Sequence, residues 1–292
     1  MSYADLREWL DQVERFGELR RIDGADWDLE IGAITEMARK ESKTAPCILF
    51  DSIKGYSQGY RLAVGLLNSI KRIALTTRMP IDLPTMEFVR MWRQRINEMK
   101  PIPPREVKEG PLFENIWEEK DVDILHFPTP RYNIGDGGRY IGTGHITITR
   151  DPEEGWVNLG TYRTMIHDSQ NLGLYMSPGR HGRIQMEKCF AENRPFPVAI
   201  SLGHDPLIFM ASAFEVPYGL SEYDFAGGLK EEPLDIIRLD PIIPKAKKGF
   251  NSRAIIDACR PYDWLQDFPP AVKVPDDLAR KVKEKWGKKF LD

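Results

Sequence analysis

The sequence is poor in cysteine and has no long apolar segment. Its three cysteines, Cys47, Cys189 and Cys259, lie far apart in 292 residues and form no CxxC pair. This argues against a disulfide framework and against a cysteine-based metal site. No apolar run approaches the roughly 20 residues that cross a bilayer, and the first residues lack the basic and apolar regions of a signal peptide. We therefore expect a globular, cytoplasmic protein with no membrane partner.

An excess of charge of one sign is also missing. Lys and Arg number 41 and Asp and Glu number 44, which gives a formal net charge of -3 and a pI near 6.0. Proteins that bind nucleic acids or anionic membranes usually carry a basic excess. The composition therefore predicts no nucleic-acid partner.

The first third of the chain alternates helical and strand patterns. Its predicted elements are helices at 6–16, 29–39 and 85–100 and strands at 47–50 and 60–66. Ser2 is the expected N-cap of the first helix, and Gly17 ends it. The third helix places Phe88, Val89, Trp92 and Ile96 on one face. An α/β domain over 1–105 is predicted, because three prolines between 101 and 104 interrupt the pattern.

The rest of the chain turns to β patterns with a few helices. The predicted strands lie at 145–149, 156–166, 172–176, 198–202 and 254–258, with a hairpin turn at 151–155. The predicted helices lie at 183–193, 205–214 and 275–290. We expect a second domain at 106–240, followed by a linker with a C-terminal strand and helix at 241–292.

The run Asn158-Leu159-Gly160-Thr161-Tyr162-Arg163 places polar side chains on a predicted strand. Five positions separate Asn158 from Arg163, so a regular strand would direct them to opposite faces. A bend or bulge, which Gly160 permits, would bring both to one site. The alternative is a surface asparagine and a surface arginine on an ordinary strand. The residues alone leave both interpretations open.

A glycine-rich turn, Ser177-Pro178-Gly179-Arg180-His181-Gly182-Arg183, opens a predicted helix. Backbone N–H groups at a helix start, together with cationic side chains, form an anion site. A neutral histidine such as His181 is a common ligand of divalent metals. A solvated turn with surface arginines is the alternative.

The segment Leu220-Ser221-Glu222-Tyr223-Asp224 suits the start of a helix, with Ser221 as the N-cap and acidic residues at the positive end. Capping alone would explain these residues. Yet Asn158, His181 and Glu222 together offer only oxygen and nitrogen ligands. With phosphate and water completing the shell, such a set suits Mn²⁺ or Mg²⁺ better than a structural zinc ion.

Taken together, these segments resemble the UbiD family of decarboxylases. The matching stretches, in the family's order and approximate spacing, are 158–163, Arg180-His181, Ala211-Ser212-Ala213-Phe214 and Ser221-Glu222-Tyr223. Residues 3–10 and 254–270 resemble its N-terminal helix and C-terminal segment. The resemblance implies an α/β (α+β) fold: an N-terminal α/β domain, a split β-barrel flavin-binding domain of UbiD type, and a C-terminal helix.

The resemblance also implies prenylated FMN, a divalent ion and K⁺ at one site. The residues that match the ligands of Mn²⁺ (or Mg²⁺) are Asn158, His181 and Glu222. The residues that match the K⁺ site, which shares Glu222, are Ala211, Ser212 and Phe214. The residues on cofactor-lining stretches are Thr161, Tyr162 and Arg180. Arg163 matches the catalytic arginine that orients a substrate carboxylate, and a guanidinium can grip a carboxylate at two points.

After Leu239 the chain departs from the family pattern. Family members continue through a long region that carries catalytic glutamates, one of them the proton donor, whereas 240–248 here leads almost directly to the C-terminal segment. Glu231 and Glu232 lie on a predicted exposed turn, and Glu215 has no family counterpart. The resemblance implies reversible decarboxylation of a small aromatic or α,β-unsaturated carboxylic acid. The alternative is a non-catalytic flavin-binding or scaffold subunit of a larger complex.

The predicted C-terminal helix carries an apolar stripe at four-residue steps. The stripe consists of Leu278, Val282, Trp286 and Phe290. A stripe of this kind needs a covering surface. The family resemblance implies a homodimer or higher homo-oligomer in which this helix packs on a neighbour. The alternative is that the stripe packs on its own chain.

Overall fold

The computed structural model describes residues 2–42, 45–117, 121–142, 144–239 and 274–290. In its N-terminal sheet, β1 (Leu19–Asp23) pairs in parallel with β2 (Cys47–Asp51), and β2 pairs antiparallel with β3 (Leu62–Val64). The accompanying helices are α1 (Leu6–Arg15), α2 (Glu30–Glu41), α3 (Ile70–Thr76) and α4 (Thr85–Glu98). The α/β pattern predicted for this part is confirmed, although β1 and α3 have no counterpart among the predicted elements.

Alternate residues of β2 belong to two separate cores, because successive side chains on a strand point to opposite faces. Cys47 and Leu49 pack with α1, whereas Ile48 and Phe50 pack with α2. Helices therefore cover both faces of β2. This explains why the strand is a continuous apolar run rather than an alternating one.

The C-terminal helix α8 (Asp276–Phe290) packs on the N-terminal layer of its own chain. Val282 and Trp286 are buried in the core formed with α2, and the Trp286 indole N–H donates to Glu30 at 2.8 Å. Of the two alternatives for the stripe, packing on its own chain is therefore the one that Leu278, Val282 and Trp286 show, while the Phe290 side chain lies outside the described part of the chain. Self-association of the chain stays a prediction without this support.

Helix α1 is capped by Asp5, not by Ser2 as predicted. The Asp5 carboxylate accepts hydrogen bonds from the backbone N–H groups of Arg7 and Glu8. An N-cap directly precedes the first helical turn so that its side chain can reach these free N–H groups. Ser2 lies too early in the chain to do so.

Two antiparallel three-stranded sheets form the centre of the remaining described chain. One contains β6 (Ile146–Arg150), β7 (Val157–Gly160) and β10 (Ala199–Ser201), and the other contains β5 (Arg139–Gly142), β8 (Thr164–Ile166) and β9 (Leu172–Leu174). The short strands β4 (Arg105–Glu106) and β11 (Asp235–Ile236) pair in parallel. The helices are α5 (His181–Ala191), α6 (Pro206–Ser212) and α7 (Glu222–Lys230).

These elements confirm the predicted mixture of strands and helices. Closure of the sheets into a split β-barrel stays a prediction, as does the division of the chain at 105 and 240. The strand predicted at 254–258 lies outside the described residues.

Helices α6 and α7 pack against α4 and so connect the two parts of the chain. Their buried apolar residues contact Trp92, Ile96 and Met99. A Cβ atom at Gly227 would lie 2.3 Å from the carbonyl oxygen of Ile102, so only glycine allows this close approach. Val89, predicted on the packed face of α4, is 48% exposed, and that part of the prediction is wrong.

The N-terminal layer contains one fully buried guanidinium. Arg72 donates to Glu18 at 2.6 Å and to the carbonyl oxygens of Leu66 and Ala45 at 3.1 and 2.7 Å. Burial lowers the pKa of Arg72, and the carboxylate of Glu18 acts in the opposite direction. The pair joins the start of β1 to α3 and to the segment before β2.

We predict that Glu18→Gln lowers the free energy of unfolding by roughly 3 kcal/mol, because it leaves a buried charge without its partner. The matched control is Glu14→Gln, which removes an ion pair with Arg21 in which both side chains are more than 40% exposed. The control should lower the free energy of unfolding by less than about 1 kcal/mol. Urea denaturation of the two variants would measure the difference, and equal losses would contradict the assignment.

Candidate functional site

A cavity of about 750 Å³ lies where the 158–163 segment, the turn before α5, the end of α6 and the start of α7 converge. The predicted site residues that line it are Asn158, Thr161, Tyr162, Arg163, Arg180, His181, Ser212, Phe214 and Glu222. Ala211 is buried behind this wall and does not line the cavity. The tertiary structure thus brings together four segments that are separated in sequence, while the functions of their residues stay predictions.

The strand predicted at 156–166 is interrupted, and the interruption places Asn158 and Arg163 at one cavity. Strand β7 ends at Gly160 and β8 begins at Thr164, so the alternation of faces does not continue across the gap. The prediction of one continuous strand is therefore wrong, and of the two interpretations left open the structure has the bend.

The Tyr162 ring folds back over Gly160 in this interruption. A Cβ atom at Gly160 would lie 2.4 Å from the Tyr162 ring. The Tyr162 hydroxyl accepts hydrogen bonds from the Gly182 N–H at 3.1 Å and from the Asn158 amide at 3.4 Å. Tyr162 therefore links the end of β7 to the first turn of α5.

Asn158 is buried and its amide nitrogen is engaged. Its Nδ2 donates to Thr149 Oγ1 at 3.0 Å as well as to Tyr162. Both bonds use the amide N–H groups, and the carbonyl oxygen is the atom that would contact a cation. An amide carbonyl is a suitable ligand for a hard divalent ion.

Glu222 is a buried carboxylate at the start of α7, directly after the N-cap Ser221. Its Oε2 accepts the Leu159 N–H at 2.7 Å. Burial raises the pKa of Glu222 to about 7, which its hydrogen bonds to backbone N–H groups only partly oppose. No ion pair to Glu222 is found within the described ranges. A bound cation would supply the missing compensation.

His181 is the first residue of α5. Burial, with a smaller contribution from Arg180, lowers the pKa of the His181 imidazole. A lowered pKa favours the neutral ring, which is the form that binds metals. The rings of Trp156 and Tyr218 contact it edge to face. Neither aromatic residue could be predicted as part of the site from the sequence, because no local motif places them beside the histidine.

The donor set therefore fits a hard divalent cation. Within the described ranges, no group of three or more His, Cys, Asp and Glu side chains is placed to hold a metal ion. A cation at this cavity would therefore depend on the Asn158 amide as well as on His181 and Glu222. One amide, one imidazole and one carboxylate leave further positions for ligand oxygens.

The predicted K⁺ residues lie at the end of α6. The Ser212 hydroxyl donates to the Phe209 carbonyl at 2.8 Å, and the Ala211 carbonyl accepts the Phe214 N–H at 3.0 Å. The last carbonyls of a helix carry partial negative charge, which favours a cation. The position is thus suitable for K⁺, but the ion itself stays a prediction.

Arg180 and Glu215 face each other at the cavity with a contact of 3.2 Å. The Glu215 side chain is 86% exposed, so this ion pair is solvated and weak. Glu231 and Glu232 instead pair with Arg95 and Arg78 and do not line the cavity. Their predicted position on an exposed turn is confirmed.

Arg163 lies beside Tyr140, with its guanidinium carbon 5.9 Å from the ring centroid. Its backbone carbonyl accepts the Tyr175 N–H at 3.2 Å, which connects the interruption to the end of β9. The guanidinium is part of the cavity wall. It is therefore placed to contact an anionic group inside the cavity.

Donors that suit a divalent cation lie next to an arginine-bearing helix start, an arrangement that favours an anionic ligand. Two domain families of known proteins match the chain. Residues 10–92 match the 3-octaprenyl-4-hydroxybenzoate carboxy-lyase N-terminal domain, and residues 105–245 match the Rift-related domain of the same carboxy-lyase. The chain belongs to the UbiD family.

Relatives and solved structures agree with this assignment. A phenolic acid decarboxylase from Streptomyces sp. (strain D7) is 32% identical over 243 residues, covering 81% of this chain and 50% of that protein. The closed form of vanillic acid decarboxylase from Sedimentibacter hydroxybenzoicus matches with a TM-score of 0.75 at 31% identity, covering 82% of this chain and 51% of that one.

A third match is an evolved dimeric form of the UbiD-class enzyme HmfF from Pelotomaculum thermopropionicum in complex with prFMN. Its TM-score is 0.71 at 28% identity, with coverage of 81% of this chain and 53% of that one. The chain thus spans about half the length of the relatives it matches. None of the helices in the described ranges combines the length and apolar character needed to cross a membrane.

We predict that Gly160→Ala lowers the free energy of unfolding by about 1–3 kcal/mol, because the added methyl group overlaps the Tyr162 ring. The control is Gly137→Ala, where an added Cβ meets nothing within 4 Å. Thermal denaturation of both variants measures the effect. An unchanged melting temperature for Gly160→Ala would contradict the close packing of Tyr162 on β7.

Proposed function

We propose that the chain contributes the cofactor site of a carboxy-lyase, which carries out reversible, non-oxidative decarboxylation of an aromatic or α,β-unsaturated carboxylic acid. The proposed cofactors are prenylated FMN, Mn²⁺ (or Mg²⁺) and K⁺. The observation that carries the proposal is the convergence of Asn158, His181 and Glu222 at one cavity beside Arg163. Names of relatives, including phenolic acid decarboxylase, support the reaction class.

The divalent ion would connect the protein to the cofactor phosphate. Glu222 has a buried carboxylate without a cationic partner among the described residues, Asn158 presents a carbonyl oxygen, and His181 favours its neutral form. Each donor suits Mn²⁺ or Mg²⁺. Phosphate oxygens would complete the shell, so metal binding and cofactor binding should depend on each other.

Arg180 would bind the same phosphate from the other side, together with those N–H groups of the first turn of α5 that do not donate to Tyr162. The contact between Arg180 and Glu215 is solvated, so a phosphate dianion can displace it at little cost. The helix start and the metal ligands share the cavity. This arrangement favours a phosphate-bearing ligand over an uncharged one.

Arg163 would orient the substrate carboxylate. Its exposed guanidinium forms part of the cavity wall near the Tyr140 ring. A planar guanidinium binds a carboxylate through two parallel hydrogen bonds and so fixes its direction. The aromatic ring beside it suits an aromatic or unsaturated acid. When bound, the prenylated flavin would accept the electron density released as CO₂ leaves.

A second candidate function is flavin binding without turnover, as a subunit or scaffold of a larger decarboxylase complex. The observation that favours it is that the chain spans about half the length of its relatives. The carboxylates that line the cavity in the described ranges are Glu215 and Glu222. Glu222 is assigned to the metal, and Glu215 is exposed and paired with Arg180. The acid that protonates the product carbon would then come from polypeptide beyond this site.

The two functions can be separated by one preparation. The chain is produced in a host with a flavin prenyltransferase, and its intact mass, metal content and absorbance spectrum are recorded. CO₂ release is then measured with cinnamate-like and hydroxybenzoate-like acids. Bound flavin and metal with CO₂ release supports the lyase. Bound flavin and metal without CO₂ release supports the second candidate, and the absence of both ligands contradicts the proposed site.

Oligomeric state belongs to the same proposal. A homodimer or higher homo-oligomer is expected from the family, and one matching structure is described as a dimeric form. Light scattering at micromolar concentration measures it. A strictly monomeric protein would contradict this part and leave the cavity chemistry unaffected.

We predict that Glu222→Gln and His181→Ala each weaken Mn²⁺ binding by more than about tenfold. Loss of a residue that only hydrogen-bonds to a metal ligand already lowers affinity by about this factor. Flavin occupancy should fall in parallel because the ion bridges to the phosphate. Metal analysis and the flavin spectrum measure both. The control Glu231→Gln alters a glutamate that is paired with Arg95 outside the cavity, and it should retain both ligands. Full flavin occupancy without bound metal in either site variant would contradict a metal ion that connects the protein to the cofactor phosphate.

We predict that Arg163→Ala retains the melting temperature and the metal but lowers both CO₂ release and the binding of a cinnamate-like acid by about 100-fold, because the acid loses its orientation. Arg163→Lys should not restore either property, since an ammonium group lacks the planar fork. The control Arg183→Ala removes an arginine that pairs with Glu187 on α5. Equal CO₂ release and equal binding of the acid in Arg163→Lys and the unmodified chain would contradict a two-point contact.

A further inference from the structure

The His181 ring is oriented by other rings rather than by a hydrogen bond. Helix α5 fixes its backbone, but no hydrogen bond to the imidazole is found among the described residues. Histidines that bind metals normally donate their second ring N–H to a carboxylate or carbonyl, which fixes the ring direction. Other contacts must therefore hold this ring toward the cavity.

Trp156 and Tyr218 provide these contacts. The His181 ring centroid lies 5.4 Å from Trp156 and 5.6 Å from Tyr218, at interplanar angles of 85° and 87°. The two aromatic rings contact each other at 5.2 Å and 72°. All three contacts are edge to face, the favourable arrangement for rings with opposite partial charges at face and edge. The three rings form a closed triangle, which restricts rotation of the imidazole.

The triangle is not held by burial alone, because Tyr218 is 48% exposed. The Tyr218 hydroxyl lies 3.3 Å from Lys188 Nζ. Lys188 stands seven positions after His181, on the same face of α5. The bond therefore ties the segment that carries Tyr218 to the helix that carries His181.

Lys188 is itself anchored from a third element. Its Nζ lies 2.9 Å from Asp151 Oδ2 and 2.9 Å from Glu153 Oε2. The Asp151 side chain is fully buried, and its other oxygen accepts the N–H groups of Glu153 and Glu154 at the turn between β6 and β7. This turn leads directly into Trp156. The lysine thus connects the elements that carry all three rings.

We propose that Tyr218 is a positioning residue for His181, with Lys188 and Asp151 adding a weak further tether through the Tyr218 hydroxyl. Tyr218 closes the ring triangle with Trp156, so the imidazole meets a divalent cation with little loss of rotational freedom. This inference rests on the proposed function, because it takes His181 as a metal ligand. The ring of Tyr218 does the positioning, and its hydroxyl contributes only the tether to Lys188.

The test is a Mn²⁺ titration of the full chain in excess FMN, followed by electron paramagnetic resonance of the free ion. Tyr218→Ala should weaken Mn²⁺ binding by roughly tenfold, as other changes around metal-bound histidines do. Tyr218→Phe keeps the ring and should stay within about threefold, since the lost hydrogen bond is solvent-exposed and Lys188 retains its two carboxylate partners. Rescue by phenylalanine distinguishes positioning by the ring from a role of the hydroxyl.

The matched control is Tyr60→Ala, which removes a similar edge contact to a histidine, Tyr60 to His126 at 5.7 Å, outside the cavity. It should leave Mn²⁺ affinity unchanged. Melting temperatures of all variants are recorded, so that a loss of affinity through unfolding is recognised. If Tyr218→Ala does not fold, Tyr218→Leu replaces it, because leucine fills volume without an aromatic edge.

The outcomes separate this inference from the function on which it rests. Weak binding by both His181→Ala and Tyr218→Ala, with rescue in Tyr218→Phe, supports the inference. Weak binding by His181→Ala with unchanged binding by Tyr218→Ala overturns the inference and leaves the proposed metal site intact. Unchanged binding by His181→Ala overturns both.

Discussion

The hydrogen bond from the Leu159 N–H to the Glu222 carboxylate joins β7 to the first residue of α7. Burial raises the pKa of this acid, and the hydrogen bond from Leu159 opposes that rise only in part. Because Asn158 precedes Leu159, the same bond fixes the spacing between two of the proposed metal ligands. The rest of the site is arranged around this contact between strand and helix.

The interruption between β7 and β8 gives the cavity its second wall. The Tyr162 ring packs directly over Gly160, and the Tyr162 hydroxyl contacts the first turn of α5. Arg163 then faces the cavity from beyond the break. The site therefore depends on a local departure from regular strand geometry, which a glycine with no Cβ permits.

The chain spans about half the length of the relatives it matches, and the proposed cation and anion positions all lie within that half. Cofactor binding and proton transfer have different requirements. Binding the cofactor needs fixed donors on strands and helix starts. Proton transfer to a carbon atom needs a separately positioned acid. Anchoring and turnover can therefore be separated by experiment in this chain.

The sequence by itself determined the family and most helices and strands, and it predicted a set of site residues of which all but Ala211 line one cavity. Its local patterns were sufficient for α2, β2 and the cap at Ser221, where neighbouring residues decide the structure. It misplaced the cap of α1, continued β7 through its interruption, and overlooked Trp156 and Tyr218. Only the tertiary structure decided that α8 packs on its own α2 and that three aromatic rings meet around His181. Contacts of that kind join residues far apart in the chain, and their formation depends on shape and packing that no local pattern records.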